Sequence, residues 1–288
     1  MSADHSQPMN PRQTTPPFVL FAFVASILIG LATNSRLDAG SPIYVGQKTS
    51  TKVPIETIDH DSWNKLLATY VDLNGMVDYR AWKANVADRA ALEQYLNTLS
   101  AANAAARAPK SVKLAFWINA YNAVTVHGIL REYPTSSIRN HTAKLFGYNI
   151  WKDLQLYVGG HPYSLETIEH KLLRKMNEPR IHFAIVCASV GCPRLLNEAY
   201  VPAKLNEQLE ANAKDFFSRK RNFQHDVSAG QFRLSEILDW FGEDFGDDQA
   251  SQLKSIANWL PNPAAQNAAM HHSVRVVFID YNWNLNSR

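Results

Sequence analysis

The hydrophobic positions of this chain repeat with helical spacing in some segments and with strand-like spacing in others. Trp63, Leu66 and Tyr70 lie three or four positions apart, so they share one helix face and predict an amphipathic helix over 60–71. The same spacing, together with capping residues and prolines, predicts further helices over 90–99, 110–132, 164–175 and 202–220, a short helix capped by Ser235, and another that ends at Pro261.

Apolar and β-branched runs between these helices predict strands. The run 181–186 (IHFAIV) is bounded by Pro179 and by a loop of Gly, Ser and Pro, as a fully buried strand would be. Helices and strands do not alternate strictly, and no segment repeats, so the sequence predicts an α+β fold made of a single mixed domain. The other predicted strands and hairpins cover 76–79, 156–163, 222–234 and 274–279.

The N-terminal part of the chain differs in composition from the rest. The sequence predicts a polar, proline-rich leader over 1–17, an uncharged apolar segment over 18–33, a linker over 34–55 and a globular domain over 56–288. As a helix, the apolar segment would reach about 24 Å, which is shorter than the roughly 30 Å hydrocarbon core of a bilayer. It therefore fits either a signal peptide or a membrane anchor. We expect the domain to be exported, and to be periplasmic or held at the membrane by this segment.

Composition and charge narrow the classes of function. Hydrophobic residues make up 46% of the chain and charged residues 19%, which is typical of a globular protein. The net charge is +3, and residues 1–55 hold more basic than acidic side chains, so the predicted domain is nearly neutral. We therefore expect no binding to nucleic acid. Because no glycine-rich phosphate loop follows a predicted strand, we also expect no bound cofactor, and the oligomeric state is left open.

Cys187 is the first candidate for chemistry. It follows the predicted strand 181–186, and a side chain at such a strand end projects into a cleft held by rigid structure. Two cysteines in a chain of this length do not make a disulfide scaffold. Cys187 is therefore a reactive thiol, a small buried hydrophobic residue, or one half of a disulfide with Cys192.

A second candidate group lies on the predicted helix 164–175. Glu169 and His170 are adjacent and therefore about 100° apart on the helix, so we expect that they do not both point the same way. His170 lies next to the apolar face and is the better candidate to point inward. If it reaches Cys187, the imidazole could accept the thiol proton and form a thiolate–imidazolium pair. A purely structural histidine is the alternative.

Asn119 and Asn122 form the third group, on the most apolar predicted helix, 110–132. Asparagine is unfavourable inside a helix because its amide competes with the main chain, so both side chains need partners. They lie three positions apart and share one face. They could orient an imidazole or donate to an oxyanion, or they could hydrogen-bond the helix to a neighbouring loop.

Two further interpretations involve both cysteines. A zinc site would combine Cys187 and Cys192 with His170 and His182, but their spacing matches no common zinc motif, and we expect no metal. A thioredoxin-like redox pair would have two residues between its cysteines, whereas this chain has four. Both interpretations are therefore secondary to a reactive Cys187.

Four segments of the chain carry a family resemblance. They are FWINAYNA (116–123), YSLETIEHKLLR (163–174), IHFAIVCASVGCP (181–193, followed by Ala199 and Tyr200) and YNWNLN (281–286). In this order the segments resemble the family catalogued as domain of unknown function 547. The resemblance implies no particular reaction. It implies that the family's pattern includes Asn119, Asn122, Glu169, His170, Cys187 and Pro193.

Two positions depart from the family as we know it. Plant relatives resemble this chain with a serine in place of Cys192, which disfavours the disulfide and zinc interpretations and leaves Cys187 unaffected. Asn282 stands where the family usually has aspartate, which weakens any role for a carboxylate at that point.

The sequence thus favours a thiol-dependent hydrolase or acyltransferase acting on a peptide-like or small amide substrate. Cys187 would be the nucleophile and His170 the general base, with Glu169 or Asn119 orienting the imidazole and Asn122 or a loop amide donating to the oxyanion. The competing hypothesis is a non-catalytic envelope domain for binding or scaffolding. In that case the same side chains serve only internal packing.

Overall fold

The structure is a computed structural model that describes residues 41–143 and 147–288. The predicted leader (1–17) and apolar segment (18–33) lie outside these residues. Within them, no helix combines the length and the apolar character needed to cross a bilayer. Helices and strands are mixed, which confirms the predicted α+β class.

The elements are numbered in chain order. The α-helices are α1 (Asp61–Tyr70), α2 (Tyr79–Ala84), α3 (Val86–Ser100), α4 (Lys110–Glu132), α5 (Ile150–Asp153), α6 (Leu165–Thr167), α7 (Leu205–Ser218), α8 (Ile237–Trp240), α9 (Gln249–Ile256) and α10 (Pro263–Met270). The strands are β1 (Ile43–Val45), β2 (Val53–Pro54), β3 (Ala102–Asn103), β4 (Leu154–Val158), β5 (His161–Ser164), β6 (Phe223–Asp226), β7 (Gln231–Ser235) and β8 (Arg275–Ile279). A π-helical turn covers Ile168–Leu173, and 3₁₀ turns cover Ile55–Thr57, Ile138–His141, Arg174–Met176, Pro179–Phe183, Gly242–Asp244 and Ala257–Trp259.

Helix α4 is the central element of the fold. Apart from His127, every residue over 114–130 is buried. A helix that is apolar on all faces must be covered on all sides, and α3, β4 and the π-helical turn pack against it. Its bounds agree with the predicted 110–132, because Pro109 precedes the first turn and Pro134 follows the last.

The strands of the described residues pair into small sheets. β1 runs parallel to β4, and β4 pairs antiparallel with β5. β2 and β3 form a parallel pair. In the remaining sheet, β7 lies between the antiparallel β6 and the parallel β8. The β4–β5 and β6–β7 pairs confirm the hairpins predicted over 156–163 and 222–234.

The prediction of a linker over 34–55 is wrong for its C-terminal half. Ile43 pairs with Leu154 through β1, and Val45 and Ile55 are 5% and 2% exposed in the core. The apolar residues of this segment are too few and too irregularly spaced to show a strand period, so no strand was predicted here. The folded part of the chain therefore includes residues well before 56.

The segment 181–186 is buried as predicted, but it is not a strand. Pro179–Phe183 form a 3₁₀ turn, and the chain then continues without regular structure. The amide of Asn122 replaces a strand partner here, because it donates to the Ala184 carbonyl at 2.9 Å and accepts from the Val186 N–H at 3.0 Å. The sequence of a short apolar run does not reveal whether a neighbouring strand or a side chain forms hydrogen bonds with its main-chain N–H and C=O groups.

The structure differs from the sequence-based predictions at two further places. The strand expected over 76–79 is reduced to isolated bridges of Val77 with Val71 and Ser287, because Asp78 caps α2 instead. Helix α10 was not predicted, although Asn262 caps it and a proline opens its first turn.

Apolar side chains of the described residues pack into two clusters. The larger surrounds α4, and the smaller is rich in phenylalanine, with Phe183 packed against Phe216 and Phe217 of α7. Tyr281 follows β8 and contacts both clusters. This tyrosine therefore marks the place where the two clusters meet.

Candidate functional site

A cavity of about 320 Å³ brings most of the predicted chemical residues together. Its wall includes Cys187, Cys192, Glu169 and His170, all of which the sequence analysis had selected. Much of the remaining wall is aromatic, and a cavity with apolar walls and a few convergent polar groups is typical of a small-molecule site. The aromatic lining residues are Tyr121, Trp151, Trp240, Phe241, Tyr281 and Trp283.

Glu169 and His170 reach the cavity from the π-helical turn. Ser164 begins this segment by accepting the Thr167 N–H at 3.1 Å, and the helix widens after one turn. The wider turn changes the angle between successive side chains, and both Glu169 and His170 line the cavity. The two side chains reach the cavity with different partners, since Glu169 accepts from Tyr121 and His170 lies against Arg174.

The loop from Cys187 to Cys192 is held against the C-terminal segment. The Val190 and Gly191 N–H groups each donate at 2.8 Å, to the carbonyls of Asn284 and Asn282 respectively. A Cβ atom on Gly191 would lie 2.9 Å from the Asn282 nitrogen and 3.0 Å from the Tyr281 ring. Glycine at this position thus permits the close approach that brings Tyr281 to the sulfur atoms.

The two cysteines are free thiols with a shared set of polar partners. The Cys192 sulfur accepts the Cys187 N–H at 2.9 Å and the Tyr281 hydroxyl at 3.0 Å. The Cys187 sulfur lies 3.1 Å from the Ser189 hydroxyl and 3.1 Å from that of Tyr281. Ser189 in turn donates to the Tyr281 oxygen at 2.9 Å.

These contacts make the two thiols unequal. Burial opposes ionisation of Cys192, but hydrogen bonds from Cys187 and Tyr281 outweigh it and lower the pKa of this thiol. The hydrogen bond to Cys192, followed by burial, raises the pKa of Cys187. The pair therefore gives up a first proton easily and a second with difficulty, and the negative charge is placed on Cys192.

Glu169 supplies a proton-transfer group in the same cavity. Burial raises the pKa of its carboxyl to about 7, although the Tyr121 hydroxyl, which donates to it at 3.0 Å, opposes the shift. A carboxyl group with a pKa near neutrality can act as both acid and base. Its predicted role of orienting His170 is not seen, since the hydrogen bond that Glu169 accepts comes from Tyr121.

The predicted Cys187–His170 pair is not formed. Nδ1 of His170 lies 3.2 Å from Nη1 of Arg174, and the polar partners of the Cys187 sulfur are hydroxyl groups. Burial, followed by the positive charge of Arg174, lowers the pKa of His170, so an imidazolium is disfavoured. Among the described residues, no imidazole nitrogen is hydrogen-bonded to either sulfur.

Asn119 and Asn122 are structural, which corrects the catalytic roles predicted for them. The Asn119 amide donates to the Tyr200 carbonyl at 2.7 Å and accepts the Tyr200 N–H at 2.9 Å. Asn122 binds the main chain at Ala184 and Val186 in the same way. Both side chains are buried, and neither lines the cavity. Of the two alternatives, hydrogen-bonding the helix to neighbouring loops is the one that the structure supports.

A second polar network borders the cavity on the side of Phe241. Asp244 accepts from Nε of Arg174 at 2.6 Å and lies 2.7 Å from Nε2 of His182. The His182 ring stacks on Phe241 with 4.3 Å between ring centroids. Burial lowers the pKa of His182 although Asp244 opposes the shift, so burial disfavours the protonated imidazole.

The zinc interpretation receives no support from this geometry. His170 contacts Arg174, and His182 contacts Asp244, so neither histidine is directed to the sulfur pair by its hydrogen bonds. Over 41–143 and 147–288, no group of three or more His, Cys, Asp and Glu side chains is arranged to hold a metal ion.

Sequence reasoning missed several residues of the site. Tyr281 and Ser189 contact the sulfur atoms, Asp244 holds Arg174 and His182, and Tyr121 contacts Glu169. Tyr281 lay within one of the segments that resemble the family, but no local pattern connected it to Cys192. Only a signal of long-range proximity could have identified it.

Comparison with known proteins agrees with the family resemblance. Residues 106–217 match the model of the family described as "Protein of unknown function, DUF547". This range contains both cysteines, Glu169 and His170, and it ends before Tyr281. No curated protein and no solved structure matches the chain.

Proposed function

We propose that this chain, whose residues 106–217 belong to the DUF547 family, is a thiol-dependent enzyme that catalyses acyl transfer in the aromatic cavity. One observation carries the proposal: the Cys187 N–H and the Tyr281 hydroxyl both donate to the Cys192 sulfur, at 2.9 and 3.0 Å, in the cavity wall. Hydrogen bonds to sulfur favour the thiolate, which is the nucleophilic form of cysteine.

The proposal differs from the sequence-based hypothesis in its nucleophile and in its activating group. Cys192 replaces Cys187, because Cys192 receives the main-chain donor and Cys187 ionises with more difficulty. Tyr281 and a main-chain amide replace His170, because the imidazole contacts Arg174. A charged imidazole is not needed when fixed neutral donors stabilise the thiolate.

Glu169 completes the reaction. The Cys192 thiolate attacks the substrate carbonyl carbon, a carbon–sulfur bond forms, and the bond to the leaving group breaks. The protonated Glu169 gives its proton to the leaving group and becomes a carboxylate. Water then attacks the thioester and Glu169 accepts the water proton. The carbon–sulfur bond breaks, the carboxylic acid product leaves, and the Cys192 thiolate and the protonated Glu169 are restored.

The cavity limits the class of substrate. About 320 Å³ holds a small molecule or one side chain of a peptide, and the aromatic wall favours an apolar group next to the carbonyl. Trp151, Trp240 and Trp283 are part of this aromatic wall. A small amide or ester with an apolar acyl group therefore fits better than a highly charged one.

The test uses p-nitrophenyl butyrate as an acyl donor. We expect a burst of p-nitrophenol equal to the enzyme concentration and a butyryl group on Cys192 by mass spectrometry. Cys192→Ser removes the burst, whereas Cys187→Ser retains the main-chain donor and the burst. Glu169→Gln slows decay of the acyl-enzyme by about 10²-fold. Acylation of Cys187 alone, or an equal burst from Cys192→Ser, would refute the assignment.

The location of the protein is proposed on the sequence alone. The apolar segment 18–33 supports export, either with cleavage or with retention as an anchor. Fractionation of cells that express the full chain, with the mass of the recovered protein, distinguishes the two forms. Recovery of the uncleaved chain from the cytosolic fraction would contradict export.

A further inference from the structure

Acyl transfer uses one sulfur atom, but the cavity wall holds two. The sulfurs of Cys187 and Cys192 lie 3.1 and 3.0 Å from the same Tyr281 oxygen, and the Cys187 nitrogen lies 2.9 Å from the Cys192 sulfur. Both thiols are free. The proposed acyl transfer assigns no chemistry to the thiol of Cys187.

A stabilised thiolate beside a second thiol is the arrangement that supports reversible oxidation. The thiolate attacks an oxidant to form a sulfenic acid, and the neighbouring thiol condenses with it before further oxidation occurs. Two requirements follow: the sulfurs must be close, and the loop between them must allow a disulfide.

The loop between the cysteines meets the second requirement. Ala188 adopts a left-handed conformation with φ of 56°, and the Cys192 N–H donates to the Ser189 carbonyl at 3.1 Å, so the loop folds back on itself. A disulfide needs the sulfurs to approach to about 2.05 Å. Both sulfurs contact one hydroxyl oxygen, at 3.1 and 3.0 Å, so disulfide formation requires the two sulfurs to turn from this shared partner toward each other.

We propose that the Cys187–Cys192 pair reduces organic hydroperoxides in the aromatic cavity. The Cys192 thiolate attacks the terminal peroxide oxygen, the O–O bond breaks, and the alkoxide takes a proton from solvent water to leave as an alcohol. Cys192 is then a sulfenic acid. The Cys187 thiol attacks it, a disulfide forms and water leaves. A small dithiol reduces the disulfide and restores both thiols.

The surroundings of the sulfurs favour an organic peroxide. Ser189 and Tyr281 place hydroxyl groups beside the sulfurs, where they can donate to the departing oxygen. The wall contributed by Trp151, Trp240 and Trp283 is apolar, so it binds the organic group of the peroxide and distinguishes it from hydrogen peroxide.

This inference shares the Cys192 thiolate with the proposed acyl transfer, but it also requires the Cys187 thiol. Different experiments can therefore refute the acyl-transfer proposal and the peroxide proposal. In the unmodified protein, a butyryl group appears on Cys192 if acyl transfer is correct, whereas Cys187→Ser loses disulfide formation if the peroxide reaction is correct.

The experiment treats the reduced full chain with cumene hydroperoxide. We expect equimolar peroxide consumption, a Cys187–Cys192 disulfide by mass spectrometry, and recovery of both thiols with dithiothreitol. Cys187→Ser should stop at a Cys192 sulfenic acid that dimedone traps. Cys192→Ser should react no faster than free cysteine. Hydrogen peroxide should react at least about tenfold more slowly than cumene hydroperoxide with the unmodified protein.

Three results would overturn the inference. They are irreversible oxidation of Cys192 without a disulfide, equal rates for Cys192→Ser and the unmodified protein, and equal rates for the two peroxides. Serine is nearly isosteric with cysteine, and near-ultraviolet circular dichroism of each variant shows whether its packing is retained. If a serine variant does not fold, alkylation of the folded protein at one cysteine before peroxide treatment provides the same comparison.

Discussion

The Tyr281 hydroxyl donates to the Cys192 sulfur at 3.0 Å, although the two residues are 89 positions apart. The contact depends on Gly191, since a side chain there would meet both the Tyr281 ring and the main chain of Asn282. The C-terminal segment therefore supplies a side chain to a loop that the family match already contains. Burial opposes ionisation of Cys192, but the hydrogen bonds from Cys187 and this one from Tyr281 lower the pKa of the Cys192 thiol.

Tyr281→Phe tests the role of this hydroxyl. A hydrogen bond to a charged group contributes about 1.5–3 kcal/mol, so its loss should raise the pH midpoint for alkylation of Cys192 by about 1–2 units. Iodoacetamide rates between pH 5 and 9, with the site identified by mass spectrometry, measure the shift.

His170→Ala is the matched control for Tyr281→Phe. Because His170 contacts Arg174 and not the sulfurs, its removal should shift the same midpoint less than the loss of the tyrosine hydroxyl does. A larger shift in His170→Ala would restore the imidazole as the activating group.

The pKa of Glu169 makes stability depend on pH. Folding raises this pKa from 4.5 to about 7, so between these values the folded protein binds more protons than the unfolded chain. Stability therefore falls as pH rises through this window, by about 3 kcal/mol for this carboxyl. Glu169→Gln should be nearly as stable as the unmodified protein at pH 4 and more stable at pH 8. Urea unfolding at both pH values measures the difference, and a constant difference would contradict the prediction.

Asn122→Ala should destabilise the fold strongly. It leaves the Ala184 carbonyl and the Val186 N–H without their partner in a buried region, at a cost of about 2–4 kcal/mol. Urea unfolding measures the loss. Asn267→Ala, on the exposed face of α10, is the control and should change the free energy of unfolding by less than about 0.5 kcal/mol. Similar small changes in the free energy of unfolding of both variants would count against a structural role for the Asn122 side chain.

Ile55→Ala tests whether the segment before residue 56 belongs to the core. Ile55 is 2% exposed, so its truncation should cost about 2–5 kcal/mol. Glu56→Ala, at the exposed neighbouring position, should change stability by less than about 0.5 kcal/mol. A flexible linker would give equal and small effects at both positions, and thermal or urea unfolding distinguishes the two cases.

Part of the site was visible in the residue types and their order along the chain. Cys187, Glu169 and His170 were selected from the sequence, and all three line one cavity. The partners of Glu169 and Cys187 were not predictable, because Tyr121 and Tyr281 reach them through packing between separate segments. The expected Cys–His pair failed for this reason: chemistry suggested a partner for the thiol, and packing supplied a tyrosine instead.

The sequence by itself determined the elements whose causes are local. The limits of α4 follow from Pro109, Pro134 and an unbroken apolar run, and the β4–β5 hairpin follows from the Gly159–Gly160 turn. Helix period, caps and turns depend on neighbours along the chain, so the sequence shows them directly.

Only the tertiary structure decided which groups form hydrogen bonds with the main chain at 181–186, and which of the two thiols ionises first. The first depends on the Asn122 amide, which bonds the segment where a strand would otherwise be expected. The second depends on the hydrogen bonds that Cys192 receives from Cys187 and from Tyr281, which is 89 positions away along the chain. Hydrogen bonds and burial act over a few ångströms in space regardless of separation in sequence, so these outcomes exist only once the segments have packed together.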